Sequence, residues 1–174
     1  MAQFDKILSG GDLRSIGEGN SVILKVKNQN DFDELFSCLF HSDRLVAMRA
    51  ADAIEKITIH HPGYLNKHKK AIIGLSHGAK NKELKWHLAL LLSRLPLNNK
   101  EFPEVWDTLL TWANDRKNSR IVSVNAIQGL FELTKQDPRY IKSFDLSMDA
   151  LEKESIPSIN ARIKKLRKQR SLST

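Results

Sequence analysis

Three stretches of the chain carry one arrangement of apolar positions. They read VAMRAADAIEKIT from Val46, LKWHLALLLSRLP from Leu84 and VSVNAIQGLFELT from Val122, so successive copies start 38 residues apart. Val46, Ala50, Ala53, Ile54 and Ile57 of the first copy correspond to Leu84, Leu88, Leu91, Leu92 and Leu95, and then to Val122, Ala126, Gly129, Leu130 and Leu133. Positions i, i+4, i+7, i+8 and i+11 fall on one side of a 3.6-residue helix, so each copy predicts a helix with a single buried stripe. A fourth, weaker copy starts at Pro157.

Second helices of the same kind lie between the copies. Their stripes are Phe32, Leu35, Phe36, Leu39 and Phe40; then, more weakly, Leu65, Ile72 and Leu75; then Phe102, Trp106, Leu109, Leu110 and Ala113; and last Ile141, Phe144, Met148 and Leu151. Asp43, Asn81, Ser119 and Ser155 precede the repeated helices, where a short polar side chain can accept orphan backbone N–H groups. Pro62 and Pro138 suit a first helical turn, the latter behind a capping Asp137, and Gly78 suits a helix end. Paired helices with a period near 40 residues predict an all-α chain, an α-solenoid in which each pair buries its stripe against the next. Four pairs are expected, at 31–60, 62–96, 101–135 and 137–170, in a single domain 1–174. Residues 1–29, with FDKIL and NSVILKV, form a partial capping unit. Gly10, Gly11, Gly17 and Gly19 predict an irregular connection inside it. GGDLRSIGEG lacks the spacing and the Lys-Ser/Thr of a phosphate loop.

Composition narrows the class. The chain has 174 residues, 41% hydrophobic and 28% charged, the balance of a globular protein large enough to fold without metals or disulfides. Its single cysteine, Cys38, fits a reducing compartment. No run approaches a membrane span, and MAQFDKILSGGDLRSIG has no basic stretch leading into an apolar one, so a cytoplasmic location is expected. The net charge of +8 is concentrated. Residues 67–94 hold seven Lys/Arg and one acid, and residues 155–174 hold six and none, while the rest is slightly acidic. Clustered cations raise the local potential and invite an anionic partner, although solvated helix faces look the same in sequence.

DRLVAMRAADAIEKIT resembles the second helix of a HEAT repeat, with Asp43 in the turn and Arg49 on the helix. The ordered set LRSIG, FDELFSCLFHSD, MRAADAIEKIT, HPGYL, KWHLALLLSRLPL, SRIV and ARIKKL resembles a bacterial family of small HEAT-like proteins, described without an assigned activity, from about Leu13 to Leu166. That resemblance implies a right-handed α-solenoid of HEAT-like pairs in a bacterial, cytosolic setting. It implies no reaction.

Candidate functional residues follow from position. The fourth residue of each repeated helix is Arg49, His87, Asn125 or Asn160, read foremost as an internal ladder tying neighbouring units together, and alternatively as donors lining a concave face. Partner contacts are expected from Arg14, Arg49, Glu55, Lys56, Trp86, His87, Arg94 and Arg120. Anion contacts are expected from Lys67, Lys69, Lys70, Lys82 and Lys85, and from Arg162, Lys165, Arg167 and Lys168 on a terminal helix that must also expose a polar face. Trp86 occupies a position shared with Met48, Val124 and Ile159 and is read as core. Cys38 and His41, and His60, His61 and His68, lack the spacing of a metal centre, so neither metal nor cofactor is expected.

These features point to a non-enzymatic adaptor that binds a macromolecular partner, foremost another protein, on its concave inner-helix surface. The alternative is a DNA-binding protein, similar to HEAT-like alkylation-repair enzymes, using the basic regions 67–94 and 156–170. Trp86, Trp106, Trp112, Asp107 and Asp115 would supply its aromatic and acidic groups. Oligomeric state is left open by the sequence.

Overall fold

The computed structural model describes residues 3–9 and 17–172. Among them every regular element is helical: α1 (Gln3–Leu8), α2 (Gly17–Lys25), α3 (Gln29–Ser37), α4 (Arg44–His60), α5 (Lys69–Gly78), α6 (Lys82–Leu92), α7 (Glu101–Asn114), α8 (Arg120–Gln136), α9 (Ile141–Glu152) and α10 (Pro157–Ser171), with short 3-10 turns at Cys38–Phe40, Pro62–His68 and Pro138–Tyr140. The chain divides into two compact units, residues 1–69 and 70–174.

In the first unit α4 is the central helix, in contact with α1, α2 and α3. The Asp43 carboxylate accepts the Leu45 N–H at 2.8 Å and starts α4. Val46, Ala50, Ala53, Ile54 and Ile57 are all buried, as the stripe requires. Asn28 caps α3 through the N–H groups of Asn30 and Asp31. The stripe of α3 closes sooner than its spacing suggests. The helix ends at Ser37, the chain tightens into a 3-10 turn, and Phe40 is 59% exposed instead of buried. A change from 3.6 to 3.0 residues per turn rotates each later side chain, which leaves Phe40 at the solvent edge of the stripe with its ring still 6.0 Å from that of Phe36. Gly17 and Gly19, expected in an irregular connection, lie in α2; Gly10 and Gly11 fall outside the described residues.

In the second unit α8 packs against α6 and α10 and makes a hairpin with α7. Leu88, Leu91, Leu92 and Leu95 of the second copy and Val122, Ala126, Leu130 and Leu133 of the third are each fully buried. Gly129 is required where it stands. A β-carbon there would lie 2.7 Å from the Ala89 carbonyl oxygen and 3.0 Å from Leu109 Cδ1, so the backbones of α8 and α6 meet without a side chain between them. α6 ends at Leu92, short of the expected Pro96. The Arg94 and Leu95 N–H groups bond to the Leu91 and Leu92 carbonyls in i to i−3 fashion, and Pro96, whose ring disfavours helix in the preceding residue, stops the turn.

Capping departs from expectation at three of the four sites. Asn81 and Ser119 hold the N-cap positions of α6 and α8 but make no side-chain cap. Ser155 lies in the left-handed region at φ 56°, and Ile156 is the N-cap of α10, with Pro157 in its first turn. Gly78 is the last residue of α5 and keeps an ordinary negative φ. A cap that the sequence reading missed starts α7. Asn98 Oδ1 accepts the N–H groups of Lys100 and Glu101, and Glu101 Oε2 accepts the Asn98 N–H at 2.9 Å, which is a reciprocal capping box.

Candidate functional site

The polar residue at the fourth place of each repeated helix is turned into the structure. The buried Arg49 guanidinium donates to the Leu8 carbonyl at 2.7 Å, fastening α4 to α1. Asn125 Nδ2 donates to the Trp86 carbonyl at 3.2 Å, fastening α8 to α6, and Asn160 Nδ2 reaches the Glu152 carbonyl at 3.3 Å, fastening α10 to α9. His87 is buried beside the Trp86 ring. The Arg49 and Asn125 bonds each join helices of different repeats, whereas the Asn160 bond stays within its own helix pair.

The remaining sequence-derived residues fall in scattered environments. In the first unit Glu55 and Lys56 are half-buried, Lys56 pairing with Asp52 at 2.7 Å. Lys67 pairs with Asp33, which also takes His68 Nε2 at 2.6 Å, while Lys69 is half-buried. Arg14 lies outside the described residues. In the second unit Lys70, Lys82 and Arg120 are exposed. Lys85 donates to Asn118 Oδ1 at 3.0 Å and lies 5.7 Å above the Trp112 ring. Trp86 is half-buried; Trp106 and Trp112 are buried, with Trp106 packed between Phe102 and Tyr140. Rings so enclosed offer no face for a base to stack on.

The basic C-terminal helix is partly neutralised by its neighbour. Arg167 bonds Glu152 at 2.5 Å and Asp149 at 2.6 Å, and Arg170 bonds Asp145 at 2.8 Å. Nearby Arg116 pairs with Glu154. Lys165 and Lys168 stay exposed. The three acids of α9 lie at i, i+4 and i+7, one face directed at α10, so three carboxylates offset part of the +6 of that segment.

Two of the sequence-derived residues, Arg94 and Arg162, do come together. They line a groove of about 560 Å³ that crosses α6, α8 and α10 within the second unit. Its floor is one stripe of α8, formed by Asn125, Gln128, Glu132, Lys135 and Gln136, with Leu90, Ser93 and Arg94 on the α6 side and Arg162 on the α10 side. A chain of hydrogen bonds runs along it. Arg162 Nη1 donates to Gln128 Oε1 at 2.6 Å, Gln128 Nε2 donates to Glu132 Oε1 at 2.8 Å, and Lys135 Nζ meets Glu132 Oε2 at 2.6 Å. Gln136 Nε2 donates to the Ser93 carbonyl at 2.7 Å and closes the end of the groove. Burial alone acts on the Arg162 guanidinium and holds its pKa below the usual arginine value. The sequence reading missed Gln128, Glu132, Lys135 and Gln136. The available signal was their spacing, a polar stripe at helical period opposite the apolar one.

Elsewhere the titratable groups are structural. The Cys38 thiol is buried and donates to Asp5 Oδ1 at 3.0 Å; burial first, then the Asp5 carboxylate, push its pKa up to about 12. No group of three or more His, Cys, Asp or Glu that could hold a metal occurs among the described residues.

Known families locate this architecture. The model of the HEAT repeat domain matches residues 12–170, and the chain belongs to that family. Its fold class is accordingly all-α, of the α-solenoid type, whose stacked helices present extended surfaces to other macromolecules. No curated protein and no solved structure matches the chain. No described helix is long and apolar enough to cross a membrane.

Proposed function

We propose that the protein is a non-enzymatic interaction module that holds another protein against the groove of α6, α8 and α10. The observation that carries this reading is the stripe of α8. Five polar side chains face one groove, and the turn after α6 and helix α10 each add an arginine. Polar side chains held by one another in a concavity are pre-oriented, and a partner that meets them loses less freedom on binding. The ladder of Arg49, Asn125 and Asn160 supports the same reading from the other side. Arg49 and Asn160 are occupied with carbonyls of the fold and lie outside the groove, and Asn125, which lines it, is held in place by the Trp86 carbonyl. The buried Trp106 and Trp112 favour a protein over a nucleic acid.

Affinity capture from nuclease-treated lysate tests this reading. Gln128→Trp fills the middle of the groove, while Lys142→Trp places the same bulk on the exposed face of α9. A protein retained by the wild type and by Lys142→Trp, and lost with Gln128→Trp, is the expected result. Retention by all three, or recovery that disappears with nuclease, overturns the proposal.

A further inference from the structure

We infer that the groove receives a side-chain carboxylate from an acidic segment of the protein partner, seated on the guanidinium of Arg162. The inference rests on the interaction reading above and assigns its chemistry.

It follows from how the arginines of α10 are spent. Arg167 and Arg170 point to α9 and meet carboxylates there. Arg162 points the other way, to α8, and meets an amide: its Nη1 donates to Gln128 Oε1. Gln128 cannot turn to offer anything else, because its Nε2 is engaged by Glu132. The Glu132 carboxylate is itself divided between that amide and Lys135. The hydrogen-bond chain therefore positions the guanidinium without supplying it a counter-charge. A guanidinium carries five N–H donors in a planar fork, and Gln128 takes one. A cation drawn out of water and left without an anion is unfavourable, and a carboxylate laid on the free edge of the fork removes that cost with two parallel charge-assisted bonds.

The same surroundings select against a polyanion. A phosphate backbone is held by a row of cations, one for each phosphate neutralised. Here Lys135 is tied to Glu132, Arg167 and Arg170 are tied to α9, and the Glu132 carboxylate within the groove repels a continuous run of negative charge. One or two carboxylates on a flexible segment fit where a nucleic acid does not.

The test is fluorescence anisotropy of the full chain with a fluorescein-labelled decapeptide of alternating Glu and Ala. A Gln-for-Glu peptide and a ten-nucleotide single-stranded DNA serve as comparisons. The Glu peptide is expected to bind the wild type, and Arg162→Gln to weaken it by at least about tenfold, the loss typical of a charge-assisted pair. Arg162→Lys, which keeps charge without the fork, falls between. Lys165→Gln on the exposed side of α10 changes binding less than about twofold. Arg162→Gln should melt no lower than the wild type, since it removes a half-buried cation that has no carboxylate partner. Equal binding by Arg162→Gln, or DNA bound more tightly than the Glu peptide, overturns the inference. If the Glu peptide fails while Gln128→Trp still loses its protein in the capture, the carboxylate assignment falls and the interaction reading stands. Should Gln128→Trp keep its protein, the groove itself is wrong.

Discussion

Gly129→Ala isolates the close approach of α8 to its neighbours. On helix propensity alone the change should stabilise, since glycine inside a helix costs about 0.8–1.0 kcal/mol relative to alanine. The surroundings reverse the sign. The new methyl would stand 2.7 Å from a backbone oxygen of α6, where ordinary contact begins near 3.4 Å, so the helices must separate by about 0.7 Å. No rotamer relieves a contact with Ala89 O. Separation loosens the seam in which Leu88, Leu92, Ala126, Leu130 and Leu133 are fully buried, and overpacking of this kind costs about 1–3 kcal/mol. With the propensity gain subtracted, a net loss of up to about 2 kcal/mol is expected in place of a gain, a fall in Tm of up to roughly 8 °C for a chain of this size. Gly74, inside α5 with nothing within 4 Å of its β-carbon position, is the matched control. Gly74→Ala should gain about 0.5–1 kcal/mol. Urea denaturation followed by circular dichroism measures both. If Gly129→Ala gains as much stability as Gly74→Ala, the close packing of α8 on α6 is refuted.

Three further outcomes follow from local geometry. With its pKa raised to about 12, Cys38 is thiolate in roughly one molecule in 10⁴ at pH 8, so a maleimide should label it over hours in the native protein and within minutes in guanidinium; rapid native labelling contradicts its burial against Asp5. At Asp33 burial opposes ionisation, but hydrogen bonds from Lys67, Gln29 and His68, with the charge of His68, prevail and lower the pKa from 3.8 to about 2. The folded carboxylate thus binds its proton less readily than the unfolded one, and its stabilisation of at most about 2 kcal/mol is complete above pH 4 and lost as pH falls toward 2. Asp33→Asn should be less stable than the wild type at pH 7 and equal to it near pH 2, and a constant difference across that range speaks against the cluster. Ser155→Gly, at φ 56°, should raise stability by about 0.5–1 kcal/mol in the same urea assay, and a loss would mean that the serine side chain has an unrecognised structural part.

The apolar stripes of α4, α6 and α8 were legible in the sequence because a repeat of 38 residues prints one constraint three times. Local chemistry was less so. Asp43 and Ser119 look alike as caps, yet only Asp43 turns its side chain onto the helix start. Phe40 continues the α3 pattern on paper, and the 3-10 turn Cys38–Phe40 leaves it largely exposed at the edge of that face. The groove was legible in part. Arg94 and Arg162 were singled out as cations, but the difference between Arg162 and Arg167 is tertiary, since both are arginines on one helix and only the fold decides which meets a carboxylate. Asp145, Asp149 and Glu152 gave a readable hint, an acidic face at i, i+4 and i+7 able to neutralise the adjacent basic helix. The stripe of α8 looked like any solvated face until α6 and α10 stood beside it.

The most direct measurement is site-specific photo-crosslinking in living cells, with a benzophenone amino acid placed at Leu90 on the α6 edge of the groove, outside its hydrogen-bond chain, or at the exposed Asp107 of α7. A discrete protein adduct at Leu90, absent at Asp107 and abolished when Arg162→Gln is added, is the predicted result. Adducts of equal yield at both positions, or at Asp107 alone, would contradict the assignment of this face as the binding surface.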